Sequence, residues 1–222
     1  MLFNAADITV IVPVKDGEIF LERAFKSIRD ISNDIEIVFI ENGSTDGSLQ
    51  ECERLADDRT QVFQLSESGV SRARNFGIAA ARGKIITLLD ADDEMLADRI
   101  TFIENHDWST IDFVIGCMQL VDSEESNFPP EIKLAQKSGL PLFAGSALIF
   151  TKTGFAQIGS FNEKLSHGED MDLILRAKKN GLNSIYSPMP FLIRHFHENN
   201  ASLNRSASLS GLFSALRSNL KI

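Results

Sequence analysis

A chain of 222 residues, 43% hydrophobic and 24% charged, has the make-up of an ordinary globular domain rather than a fibrous or disordered chain. Its formal charge of -9 excludes a general nucleic-acid surface, which would be basic, so an anionic ligand needs a local positive site or a metal. The two cysteines, Cys52 and Cys117, form neither a metal spacing nor a disulfide framework, which fits a reducing, cytoplasmic setting.

ITVIVPV (8–14) is a continuous β-branched run, as expected of a strand buried on both faces, and it is too short to cross a membrane. With Asp7 interrupting the start, no signal peptide is expected, and any membrane contact is peripheral, at the inner face. Residues 19–28 then have helical spacing (Leu21, Ala24, Phe25, Ile28), and IEIVFI (35–40) reads as a second strand. Ser44 or Asp46 is expected to cap a helix through Leu55. A short strand near Val62 leads to a helix over SGVSRARNFGIAAARG, with Gly83 as its stop, and IITLL (85–89) is the third strong strand. Further on, 111–120 and 143–150 read as strands, and GEDMDLILRAKKNGL as a helix opening on acids and closing on Lys178 and Lys179. A last strand is expected near Phe191. The polar 122–141 stretch is long for a loop and reads as mobile or as a lid. The tail places Leu209, Leu212, Phe213, Leu216 and Leu220 on one helical face, suited to a core or to a partner, including a second copy of the chain.

The β-α-β-α rhythm predicts an α/β domain with a mostly parallel sheet flanked by helices. Such sheets bind ligands at the carboxyl ends of their strands. Three strands here end in polar turns: Val14-Lys15-Asp16, Glu41-Asn42-Gly43 and Asp90-Ala91-Asp92. If the strands are neighbours, the turns share one crevice.

ITLLDADDEML carries a strand into four acids. Like charges this close destabilise one another unless a counter-charge arrives, and hard Mg²⁺ or Mn²⁺ takes carboxylate and phosphate oxygens. The competing reading is that Asp92 or Asp93 caps a helix starting near Met95. Phosphatases of the haloacid dehalogenase type also place Asp-x-Asp at a strand end, but on the first strand and before Gly-Thr or Gly-Val, not before Asp93-Glu94. Arg72 and Arg74 lie near a helix start, where they can take phosphate or simply pair with surface acids. No GxxxxGK[ST] occurs, and no GxGxxG follows the first strand. Asp170 shares a helix face with Ile174 and Ala177, so it should point inward, where a carboxylate can accept a hydroxyl proton. His106 and His167 read as incidental surface residues, while His195 and His197 alternate near a strand end.

In order, ITVIVPVKDG, IEIVFIENGSTDGS, GVSRARNFGIAAARGKIITLLDADDEML, FNEKLSHGEDMDLILRAKKNG and HENNASLNRS resemble the motifs of the family 2 glycosyltransferases. The likeness runs from about Ile8 to Ser206 and implies a GT-A fold, a single Rossmann-like domain. The implied layout is a domain over 1–206, with a nucleotide-sugar half (1–120) and an acceptor half (121–206), followed by an amphipathic helix over 207–222. The resemblance implies inverting transfer from a nucleotide-diphosphate sugar to a glycan or lipid-linked acceptor, without nucleic acid. Pro13, Val14, Glu41, Asn42, Arg74, Asp90 and Ala91 would bind the nucleotide sugar, Asp90 through the ribose. Asp92 and His197 would attend a Mn²⁺ or Mg²⁺, and Asp170, with Glu169 beside it, would be the catalytic base. Two departures stand out: Glu41-Asn42 replaces the usual Asp-Asp, and Lys15-Asp16 replaces the usual aromatic-Asn pair.

Overall fold

The computed structural model describes residues 1–121, 142–196 and Asn219. In chain order the elements are a 3-10 turn (Ala5–Asp7), β1 (Ile8–Val14), α1 (Glu18–Arg29), β2 (Glu36–Glu41), α2 (Ser48–Leu55), β3 (Thr60–Gln64), α3 (Val70–Ala80) and β4 (Ile85–Leu88). Then come β5 (Glu94–Met95), α4 (Ala97–Asn105), β6 (Phe113–Val121), β7 (Leu142–Thr151), α5 (Lys152–Ile158), α6 (Glu169–Lys179) and β8 (Ser184–His195). The eight strands form one sheet in the order β3-β2-β1-β4-β7-β6-β8-β5. β3, β2, β1 and β4 are mutually parallel; β7 runs antiparallel between β4 and β6, and β8 is again parallel to β6.

Alternation along the central strands builds two cores. Val10, Val12 and Val14 of β1 and Phe39 of β2 pack on Leu21, Ala24 and Ile28 of α1 and on Ile100 and Ile103 of α4. Ile11 of β1 and Val38 and Ile40 of β2 face the other way, onto Ala73 and Ile78 of α3 and Leu173 and Ala177 of α6. Each fully buried Ile or Leu contributes about 1.5–3 kcal/mol of transfer free energy, so both faces must be apolar and β1 reads as an unbroken run. The sheet thus crosses the proposed boundary at residue 120, with strands from both halves hydrogen-bonded in one surface.

Several local expectations are corrected. Asp46 accepts the Ser48 N–H (3.0 Å), but the N-cap position itself is Gly47, and the other Asp46 oxygen takes the Glu18 N–H (3.1 Å) at the start of α1. Gly83 does not stop α3, which ends at Ala80. It is needed for close approach instead: a Cβ there would lie 2.6 Å from the Asp7 carbonyl oxygen and 2.6 Å from Thr9 Oγ1. Gly83→Ala is therefore expected to cost about 1–3 kcal/mol through backbone displacement, read as a lower denaturant midpoint. α4 begins at Ala97 with Leu96 at its N-cap and no side-chain cap bond, so neither Asp92 nor Asp93 caps it. The helix-cap explanation of the acids falls. Both cysteines are buried and unpaired in any disulfide. The 122–141 loop, His197 and the tail face over 207–222, apart from Asn219, lie outside the described residues.

Candidate active site

Because β1, β2 and β4 are adjacent and parallel, the turns at their carboxyl ends meet on one edge. The first turn is stapled to the second. Asp16, at φ +49°, accepts the Thr45 N–H on Oδ1 (2.7 Å), its own N–H donates to Ser44 Oγ (3.0 Å), and the Gly17 N–H donates to Ser48 Oγ (2.9 Å). These bonds frame a cleft of about 570 Å³ with apolar walls from Pro13, Val14, Phe20 and Ala91. Lys15, Asp16 and Asn42 supply polar groups to it, as do Asp90 and Asp92.

A second cleft of about 450 Å³ shares Val70, Asp90 and Asp92 with the first and is closed by Gly145, Ser146, Glu169, Asp170 and Arg194. The aspartate turn is therefore the divide between two compartments. Arg74 stands beside it, turned inward with 4% exposure. Its Nη1 donates to Glu169 Oε1 (2.7 Å) and its Nη2 to Asp90 Oδ1 (3.1 Å), with the guanidinium 5.6 Å from the Phe161 ring centre. Burial works against the charge, but Asp90, Glu169 and Asp170 outweigh it and raise the guanidinium pKa. Arg72 takes the bland role instead, pairing with Glu67 and Glu163 at the surface.

α6 delivers its acids to different places. Glu169, Asp170 and Asp172 all sit in its first turn, where the helix dipole favours negative charge. Asp170 is half-buried on the second cleft, not turned into the core, and a Cβ on Gly145 would lie 2.7 Å from Asp170 Oδ2. The bare glycine is what gives that carboxylate its place. The inward acid is Asp172, 3% exposed, which accepts from Arg176 Nε (2.8 Å) and from Asn219 Nδ2 (2.9 Å).

Asp90, Asp92 and Asp93 present carboxylate oxygens that all lie within 4.8 Å of one another. An all-oxygen donor set of this kind suits a hard divalent cation such as Mg²⁺ or Mn²⁺. Asp93 is fully buried; among the described residues its Oδ1 has no partner, and its Oδ2 receives a 3.4 Å contact from Ser146 Oγ. Burial, and then the charge of Asp90, push its carboxyl up to about 8. The folded state therefore holds a proton that the unfolded chain has already released, and metal-free stability should fall between about pH 4 and pH 8 and then level off. Asp93→Asn should flatten that slope in chemical denaturation at stepped pH; an unchanged slope would assign the pH dependence elsewhere.

The structure gathers most of the residues expected from sequence. Pro13, Val14, Asn42 and Ala91 line the first cleft, Arg74, Glu169 and Asp170 the second, and Asp90 and Asp92 both. Glu41 lines neither: it is 2% exposed and accepts the Ser44 N–H (2.5 Å). His167, expected to be incidental, borders the second cleft. His195 is used at the sheet edge, with Nε2 2.5 Å from Glu94 Oε1. Two arginines escaped the sequence reading. Arg99, fully buried, donates to the Leu88 carbonyl (2.6 Å), to Thr87 Oγ1 (3.1 Å) and to the Phe191 carbonyl (3.2 Å), tying the strand that carries Asp90 to β8. Burial drives its pKa down to about 9. Arg194 lines the second cleft, and the charges of Asp90, Asp93 and Asp92 overcome its burial and hold its pKa up. The signal available for both was an arginine inside an apolar run, RITFI and FLIRHF.

The sheet, the cleft at its carboxyl edge and the aspartate turn match the GT-A glycosyltransferase class that the sequence motifs resemble, and comparison with known proteins supports that class. The sequence model of Glycosyl transferase family 2 matches residues 9–164, and the chain belongs to that family. Glycosyltransferase GlyG of Streptococcus pneumoniae is 32% identical over 126 residues, covering 54% of this chain and 42% of the relative. The uncharacterized glycosyltransferase EpsJ of Bacillus subtilis is 33% identical over 134 residues, covering 57% and 38%. Among solved structures, the mannosyltransferase PcManGT of Pyrobaculum calidifontis, in complex with GDP-Man and Mn²⁺, aligns with TM-score 0.74 and 20% identity over 97% of this chain and 64% of its own. S. aureus TarS 1-349 in complex with UDP-GlcNAc aligns with TM-score 0.71 and 18% identity over 95% and 64%. The chain spans less than half the length of these two curated relatives and about two thirds of each solved one. Among the described residues, no helix is long and apolar enough to cross a membrane.

Proposed function

We propose that this domain transfers a sugar from a nucleotide-diphosphate sugar to an acceptor hydroxyl with inversion at the transferred carbon. The observation that carries the proposal is the meeting of two clefts on Asp90 and Asp92, with the Asp170 carboxylate bordering the second. The first cleft takes the nucleotide between Pro13, Val14 and Ala91, with Asp90 on the ribose. Asp92 would hold a divalent cation, with Asp90 and Asp93 beside it. Bound Mn²⁺ or Mg²⁺ would supply Lewis-acid stabilisation of charge on the diphosphate, a contribution of several kcal/mol. The acceptor enters by the second cleft. Asp170 takes its hydroxyl proton as the new C–O bond forms, and the bond to the phosphate oxygen breaks with its electron pair leaving on the nucleoside diphosphate. Arg74 keeps Glu169 and Asp90 oriented so that donor and acceptor meet in line.

The acceptor we propose is a glycan or lipid-linked glycan made at the inner face of a membrane, in polysaccharide, lipopolysaccharide or glycoconjugate synthesis. A second reading, a catalytically silent relative that binds a nucleotide sugar or a partner, is favoured by one observation: Glu41 is withdrawn onto Ser44. Release of nucleoside diphosphate from a panel of donor sugars, with Mn²⁺ and a mixed acceptor pool, separates the two. Metal-dependent release supports transfer. Binding of donor with no release in any combination supports the silent relative.

A further inference from the structure

We infer that Arg23, on α1, is a positioning residue for the aspartate turn: it lines neither cleft, yet it holds Asp92 and Asp93 in the orientation in which a divalent cation can use them. The inference rests on the divalent-cation reading above and names what fixes the ligands of that cation. The turn closes on itself through the Asp93 N–H and the Asp90 carbonyl (3.1 Å). α1 then grips it from outside at two points. Arg23 Nη2 donates to the Asp92 carbonyl (2.7 Å), and Ser27 Oγ accepts the Met95 N–H (2.9 Å). The Ser27 hydroxyl proton goes to the Ala24 carbonyl (2.7 Å), which leaves the oxygen lone pairs for Met95. Between the two anchors, Glu94 Oε1 lies 3.6 Å from Arg23 Nε and 2.5 Å from His195 Nε2, so the turn is splinted between α1 and β8.

Helical spacing explains how one element does this. Phe20, Arg23 and Ser27 stand at i, i+3 and i+7, on one face of α1. Phe20 is a wall of the first cleft, and the Arg23 guanidinium lies 5.8 Å from its ring centre. The same helix face therefore shapes the nucleotide cleft and carries both anchors of the turn. A peptide group is planar, so fixing the Asp92 carbonyl fixes the plane from whose two ends the Asp92 and Asp93 residues depart. A guanidinium bond to that carbonyl is charge-assisted and directional, and its removal frees both carboxylates to reorient as they repel one another. An ordinary surface ion pair with Glu94 would contribute little and would leave the bond to the Asp92 carbonyl unexplained.

Charge and position predict opposite signs. Arg23 is a cation beside the acids, so on charge alone its removal tightens the binding of Mn²⁺. On positioning, its removal weakens binding, as does the loss of other groups that orient metal ligands.

The test is titration of Mn²⁺ alone into wild type, Arg23→Met, Arg23→Lys and Ser27→Ala, with free Mn²⁺ counted by electron paramagnetic resonance and folding checked by circular dichroism. Arg23→Met is expected to raise the Mn²⁺ dissociation constant about tenfold. Arg23→Lys, which keeps a donor for the carbonyl, should recover most of that loss. Ser27→Ala, which changes no charge, should weaken binding in the same direction. Unchanged or tighter binding by a folded Arg23→Met overturns the inference while leaving the cation reading in place. A role confined to holding the fold together would give that result, with a lower unfolding midpoint and an unmoved affinity. Should Arg23→Met not fold, Ser27→Ala decides, and an unchanged affinity there overturns the inference. Failure of the wild type to bind Mn²⁺ removes the cation reading and this inference with it.

Discussion

Asp170→Asn should lower the transfer rate by about 10²–10⁴-fold, the usual contribution of a positioned general base, while leaving donor affinity within about twofold. The split follows from where the residue sits. Asp170 borders the second cleft and not the first, against Gly145, so an amide of the same shape preserves the packing and removes only the proposed proton acceptor. A loss confined to kcat, with the donor constant unmoved, is the expected signature. Turnover near the wild-type rate would take the base away from Asp170 and give it to another cleft residue, with Glu169 the next to test.

Arg74→Met should be the most destabilising single change at the site, by about 3–5 kcal/mol, because it leaves two carboxylates without their buried cation. Arg74 is the bridge from Asp90 to Glu169, and Asp170 also feels its charge. For a chain of this length that cost corresponds to a melting point lower by roughly 6–20 °C. Arg72→Met, two residues away on the same helix, serves as the control. Arg72 is half-exposed and pairs with Glu67 and Glu163 in solvent, so its loss should cost no more than about 1 kcal/mol. Equal effects from the two substitutions would mean that the Asp90–Arg74–Glu169 bridge is not formed in solution.

The parallel half of the fold was legible because its strands are buried on both faces. β1, β2 and β4 appear in the sequence as short runs rich in Ile and Val (ITVIVPV, EIVFIE, IITL), each with Gly or Asp two residues past its end. The second half hid more. β8 extends over Ser184–His195, yet Ser187, Pro188 and Pro190 disguise everything before Phe191. Those residues are tolerated because the pairing with β6 shifts register there and β5 reaches only Leu192 and Ile193, so a missing N–H interrupts no ladder on that side. α5 was missed because it is short and starts from Thr151, whose side chain accepts the Gly154 N–H, directly at a strand end.

At the site, residue types at strand ends pointed to Asn42, Asp90 and Asp92, since parallel strands can bring such turns together without any knowledge of contacts, whereas Arg74, on α3, was singled out by the family resemblance. What could not be read was direction. Asp170 and Asp172 are two residues apart on one helix, and only packing against Gly145 and Arg176 separates a cleft carboxylate from a buried structural one. The same holds for Glu41 and Asn42, neighbours on one turn, of which one faces the Ser44 amide and the other the cleft. Arg99 and Arg194 are the larger lesson. Arg194 is kept charged by Asp90, Asp93 and Asp92, about a hundred residues earlier, and Arg99 is held by the carbonyls of Leu88 and of Phe191, so neither burial can be read from adjacent residues.

The central claim is that Asp90 and Asp92 join a nucleotide-diphosphate sugar to a divalent cation. It is tested most directly by thermal unfolding of the wild type and Asp92→Asn against a panel of nucleotide sugars, each with and without Mn²⁺. Stabilisation by at least one donor, dependent on Mn²⁺ and lost in the variant, is the predicted result. A donor shift of equal size with and without metal, or one retained in Asp92→Asn, would contradict it.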